Sequence, residues 1–204
     1  ERPDDEESHD RYEQLLVQLE KPVELESLLR QRVDVAQDSA YRVEIRLRLA
    51  NLLLSTEDRV PEGIQELLIN LEEAPAFEPT WNMLEALLQS DATALDDRIL
   101  IAQSLVQQAP EGFEQERLVG VLEIHLELEK GDVERNRLHL QLADIHEEQG
   151  HTEQAFHHAG ESLKLFPGVR EVENRLRTLA EDNEFVPLWR DLLAEVAQGV
   201  EEST

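Results

Sequence analysis

The chain predicts an all-α fold made of stacked antiparallel helix pairs, and three observations carry that expectation. Apolar residues recur at helical spacing from end to end, no stretch alternates apolar and polar residues for long enough to make a strand, and Pro or Gly interrupts the pattern at short intervals. About eleven helices follow, and the short turns between them make consecutive helices antiparallel neighbours.

The elements read in order. A helix over 9–20 stops before Pro22, which opens 22–36 from the first turn, where a missing N–H is harmless. In the helix over 39–55, Val43, Leu47, Ala50 and Leu54 line one face. Pro61 opens 60–74, and Pro75 with Pro79 separates it from 77–90. Pro110 and Gly112 close 94–108, and Gly131 closes 113–129. The helix over 132–149 places Leu138, Leu142 and Ile145 on one face and ends at Gly150. Pro167 and Gly168 end 152–165, a helix over 168–182 follows, and Pro187 sits in the first turn of 184–199.

The pattern is internally duplicated. Arg42, Leu47, Leu49 and Ala50 recur 93 residues later as Arg135, Leu140, Leu142 and Ala143. Leu71, Pro75, Asn82, Leu84 and Leu87 recur 92 residues later as Leu163, Pro167, Asn174, Leu176 and Leu179. The slip of one residue falls in the turn between two helices, where length changes are tolerated. A weaker echo links 21–33 with 184–196. Repetition of this kind indicates stacked units, none of which buries its apolar face alone.

Residues 136–168 resemble a tetratricopeptide repeat (TPR) on the strength of Leu142, Ala143, the turn glycine Gly150, the small residue Ala155 and the closing Pro167. His146 stands where that family favours an aromatic residue. The earlier copy, 43–76, keeps Leu49, Ala50 and Pro75 and has Gly63 in place of the alanine. Both copies lack the family's early Trp and its Tyr near the turn, so the resemblance implies a degenerate array: a right-handed α-solenoid, or TPR-like superhelix. On this reading 1–8 is an acidic disordered edge, 9–199 is a single repeat domain, and 200–204 is an acidic tail.

The resemblance also implies a concave surface lined by the first helix of each pair. It assigns partner binding to Glu44, Leu47, Asn51 and Leu54 in one repeat, and to Arg137, Leu140, Gln141, Asp144, Glu147 and Glu148 in the other. Family members that clamp acidic tails do so with Lys, Arg and Asn, and here only Asn51 and Arg48 match; the whole chain has three lysines, Lys21, Lys130 and Lys164. The expected partner is therefore a neutral to basic protein or peptide with apolar anchors.

Charge points the same way. With 46 acidic and 19 basic residues the chain carries a net charge of −27, which repels phosphate backbones and anionic lipid, so neither nucleic acid nor membrane is an expected partner. No apolar run approaches the ~18 residues that a membrane span needs. Cysteine is absent, which removes disulfides and thiolate chemistry. With acidic ends and no signal-like segment, the sequence reads as a soluble piece of a longer protein, cytoplasmic by preference.

Four of the seven histidines fall in "ADIHEEQGHTEQAFHHAG", residues 143–160, and raise the question of a metal. A His-Glu-x-x-His site needs imidazoles four residues apart on one helix face, whereas His146 and His151 are five apart with Gly150 between them. His157 and His158 are adjacent and diverge. His139 and His146 share a face, leaving one two-His arrangement, but the expected role of His146 is packing, and no metal or cofactor is assigned.

Ser and Thr occupy no nucleophile elbow or phosphate loop, and the pairs Asp96–Asp97, Glu147–Glu148 and Glu72–Glu73 read as solvated helix faces. The expectation is a non-catalytic interaction or scaffold module. The alternative is a structural spacer or self-assembly segment that stacks through its end helices, with weak self-association through Trp189, Leu192 and Val196 on the last apolar face.

Overall fold

The computed structural model describes residues 3–202, with side chains from 8 to 201. Among them are eleven α-helices and no strand. No helix among the described residues is long and apolar enough to cross a membrane. The chain divides into two compact units, Glu1–Glu111 and Gly112–Thr204, where the sequence reading has one continuous domain.

The first unit contains α1 (Pro3–Gln18), α2 (Pro22–Val35), α3 (Ser39–Leu54), α4 (Val60–Glu73), α5 (Glu78–Gln89) and α6 (Leu95–Gln108), with a 3₁₀ turn at Glu57–Arg59 before α4. Helix α1 starts well before residue 9, so Pro3–Ser8 is helical rather than a disordered edge, and Pro3 supplies a φ already suited to a first turn. Residues 1 and 2 of that expected edge lie outside the described residues.

Helix α3 packs against both α2 and α4. This explains why its burial is wider than the single face read from sequence: Val43, Ile45, Arg46, Leu49, Ala50 and Leu53 are all buried. Asp38 caps it, its Oδ1 accepting the Tyr41 N–H at 2.8 Å. Leu16, Leu25, Leu28, Leu29, Ile45, Leu49 and Leu53 form one core between α1, α2 and α3.

The α3–α4 crossing is close because Gly63 lacks a side chain: a Cβ there would lie 2.7 Å from Leu54 Cγ. Asn70, fully buried on α4, ties three helices together through Nδ2, donating to the Val43 carbonyl of α3 at 3.0 Å and to Thr80 Oγ1 of α5 at 2.9 Å. Trp81 is also fully buried, and its indole N–H donates to the Pro75 carbonyl.

The second unit contains α7 (Gln115–Leu128), α8 (Asp132–Glu148), α9 (Thr152–Leu165), α10 (Arg170–Asp182) and α11 (Val186–Glu202). Helix α11 continues through the first part of the expected acidic tail; residues 203–204 lie outside the described residues. Helix α9 is central, packing on α8, α10 and α11. Gly150 ends α8 at φ +75°, with its N–H bonded to the Glu147 carbonyl and the His151 N–H bonded back to His146. The core joins Ala143 of α8 to Ala155, Phe156, Ala159 and Leu163 of α9, Val172, Leu176, Leu179 and Ala180 of α10, and Leu192 of α11.

The duplicated positions make equivalent contacts. Asn70 and Val43 of the first unit correspond to Ser162 and Asn136 of the second, and Ser162 Oγ donates to Asn136 Oδ1 at 2.7 Å. The contact across the helix pair is retained while both partners change chemistry.

Candidate binding groove

The two walls expected from the sequence lie in different units. On α3, Glu44 is exposed, Leu47 is half-buried, and Asn51 turns its amide back to the Leu47 carbonyl at 3.1 Å. Leu54 is not free on the wall, because it covers Gly63 at the α3–α4 crossing. Arg48 is held by Asp10 and Glu13 of α1, so it does not stand beside Asn51 awaiting an anion.

On α8, Leu140 packs against the core of the second unit rather than facing a groove. Arg137 is engaged by Glu134 and by Gln141 Oε1 at 2.9 Å. Asp144 and Glu147 are bridged by Arg175 of α10, with Nη1 2.6 Å from Asp144 and Nη2 2.7 Å from Glu147. Glu148 accepts from Gln115 Nε2 at 3.3 Å. The acidic face on α8 is therefore largely satisfied from within. Arg175 is the residue that sequence reasoning missed, since it lies on another helix 31 positions from Asp144.

Trp189, Leu192 and Val196 were expected at an outward contact, and the structure turns them inward. Leu192 belongs to the core, and Trp189 and Val196 pack against it. The exposed apolar residues of α11 are Val186, Leu188, Leu193 and Val200. The reason is that α11 lies across α9 as well as α10, so its core-facing stripe is already covered.

A different feature emerges between α9 and α11. A groove of about 360 Å³ has a floor of Phe156, Gly160, Phe185, Leu188 and Leu192. Phe156 and Phe185 meet edge to face at 5.7 Å. Gly160 sets the closeness of the helices, since a Cβ there would lie 3.2 Å from Leu192 Cδ2.

The rim of this groove carries Glu153, Glu161, Asp191 and Glu195 against Lys164 and His157. Lys164 is taken up by Glu161 of its own helix at 3.0 Å and, across the groove, by Glu195 at 2.7 Å. Glu153 and Asp191 form no ion pair among the described residues, which leaves the rim net negative. A second hollow, of about 600 Å³, shares Lys164 and Glu195 and extends the groove along α11 past Pro167 and Val196.

The histidines are packed together rather than spread out. His139 Nδ1 lies 3.1 Å from His158 Nδ1, and His146 stacks on His158 with ring centroids 5.5 Å apart. Burial lowers the pKa values of His125, His139 and His146, and burial together with the neighbouring His139 lowers that of His158 to about 4. Among the described residues, no three His, Asp or Glu side chains are grouped to hold a metal ion.

Glu73, read from sequence as part of a solvated pair, is instead gripped by Arg42 and by Arg46 Nη1 at 2.6 Å. These contacts, with Ser39, hold its carboxyl down at about 2. No protein-family model and no curated protein matches the chain.

Proposed function

We propose that the chain is a non-catalytic interaction module, a degenerate TPR-like right-handed solenoid of helix pairs that binds a short partner segment. The single observation that carries this reading is the groove between α9 and α11, an apolar floor with an acidic rim whose one lysine is already paired. That combination suits a segment presenting an aliphatic or aromatic anchor flanked by Lys or Arg, with rim charge governing association rate and register.

The test uses fluorescently labelled amphipathic peptides in which Leu or Phe anchors are spaced among lysines, titrated against the chain. Binding is expected to weaken as salt rises. Glu153→Lys with Asp191→Lys should reduce affinity about tenfold or more, by reversing charge on the rim. Asp144→Ala with Glu148→Lys, on the internally satisfied α8 face, should change it little. Equal losses from both pairs would reject the α9–α11 groove as the site.

A second reading, self-assembly, draws on the exposed Val186, Leu188, Leu193 and Val200 of α11. It requires oligomers in light scattering that grow as salt screens the net charge of −27.

A further inference from the structure

The His139–His158 contact occupies a position that the first unit fills with an ion pair. By the internal duplication, Arg46 of α3 corresponds to His139 of α8, and Glu66 of α4 corresponds to His158 of α9. In the first unit Arg46 Nε lies 3.7 Å from Glu66 and its Nη1 is held by Glu73, so the charge is compensated. In the second unit the same place holds two imidazoles, 5% and 9% exposed, with Nδ1 atoms 3.1 Å apart. One ring donates there and the other accepts. His146 closes over His158 in a near-parallel stack, and its own Nδ1 has no partner in the protein.

The surroundings compensate a proton on this cluster only in part, and burial outweighs what they supply. Glu161 of α9 is the acid facing both His139 and His158, and its carboxylate is already engaged by Lys164. Arg135 of α8 and His157 of α9 oppose charge on His139, and His151 in the turn opposes it on His146. Glu123 of α7 faces His146 from the third helix. Helix α11 brings Asp191 and Glu195 to the groove beside His157, while α10 directs Arg175 to the Asp144 and Glu147 side of α8.

A first proton on the pair therefore buries a cation without a hydrogen-bonded carboxylate. A second would set two N–H groups face to face and end the contact.

We propose that the α8–α9 pair is an acid-triggered switch, held closed by the neutral His139–His158–His146 cluster and opened when these rings take up protons. The sign follows from proton linkage. Rings that resist protonation when folded and accept it readily when unfolded contribute stability above their ordinary pKa, and that stability is lost as pH falls. With His158 lowered to about 4 from 6.5, the loss develops as pH falls from 6.5 toward 4. From this one ring, the opening equilibrium at about pH 5 rises roughly thirtyfold over that at about pH 7.5.

His157 lines the binding groove and meets His158 ring to ring at 5.2 Å. Acid opening would thus also release a segment held there, a consequence that rests on the proposed binding function, whereas the switch does not.

The units carry one tryptophan each, Trp81 in the first and Trp189 in the second, so they can be followed separately. Urea unfolding of the Trp81→Phe chain reports the second unit through Trp189, and that of the Trp189→Phe chain reports the first through Trp81. Amide hydrogen exchange on the unaltered chain, corrected for intrinsic rate, reads the same two regions without any substitution. The expected result is that α8 and α9 lose protection and Trp189 unfolds at lower urea at pH 5, while α3, α4 and Trp81 hold. Equal shifts in both units, or none in the second, would overturn the proposal. Grafting the first unit's chemistry with His139→Arg and His158→Glu should cut the acid response severalfold, leaving the smaller part that the buried His125 and His146 contribute, and a folded graft whose response is undiminished would also overturn it. No ligand enters these measurements, so failure of the binding reading leaves their outcome distinct.

Discussion

At the residue scale, the interior of the first unit is organised by buried polar side chains that tie separate helices together. Asn70 is fully buried and joins α3, α4 and α5 through one amide. Replacing it with Leu keeps the volume but leaves Thr80 Oγ1 and the bridge between helices without their partner, a loss of about 2 kcal/mol. Urea unfolding followed through Trp81 measures this, and a change below ~0.5 kcal/mol would show that the amide is dispensable. Arg32 shows the same logic at a higher charge: it is buried and held by Asp10, Glu13 and Tyr41. Removing one of its acids leaves the buried guanidinium short of a partner away from water. Little of this was legible in the sequence, where Glu73 looked like one of many surface acids. A carboxylate is told apart from its solvated neighbours only by the guanidinium groups that converge on it from other helices.

At the element scale, small residues decide how closely helices approach. Gly63 was identified from the repeat pattern as the counterpart of Ala155, and the structure supplies the reason: Leu54 occupies the space a Cβ would take. Gly63→Ala gains up to ~1 kcal/mol of helix propensity but drives a methyl group into Leu54 Cγ, with the Leu54 backbone nitrogen 3.1 Å away. The net expectation is destabilisation of the first unit by about 1 kcal/mol, partly relieved when Leu54→Ala is added. Melts of the single and double variants test this, and a more stable single variant would contradict it. Helix positions were the most legible part of the fold, because Pro at first turns and Gly150 at a helix end act through the backbone of a few neighbouring residues. The inward turn of Trp189, Leu192 and Val196 was not legible. An apolar stripe predicts that something covers it, and only the path of the chain determines whether the cover is α9 or another molecule.

At the scale of the whole molecule, the two units use different chemistry at equivalent places and so respond to acid in different ranges. Glu26, held by Arg59 and Arg30, and Glu73, held by Arg42 and Arg46, both have carboxyls lowered to about 2. Their folded pKa values lie below the ordinary value of 4.5, so their contribution is complete above pH 4.5 and is lost as pH falls toward 2. Acid titration should therefore unfold the chain in two stages, with Trp189 responding between pH 6.5 and 4 and Trp81 only below 4.5. One coincident transition for both tryptophans would refute the two-stage order.

The sequence alone determined the helical class, nearly every turn, the 92- to 93-residue duplication and the acidic charge of −27. These are properties of single residues, of neighbours within a turn, or of simple sums, and they need no tertiary contact to be read. Tertiary structure decided the rest. It quenched the α8 acids with Arg175, shaped the groove from Phe156 on α9 and Leu192 on α11, and set His139 against His158. Each of these depends on side chains from separate helices meeting within a few ångströms. Helical periodicity gives the face a residue occupies, but packing against a third helix determines what that face meets.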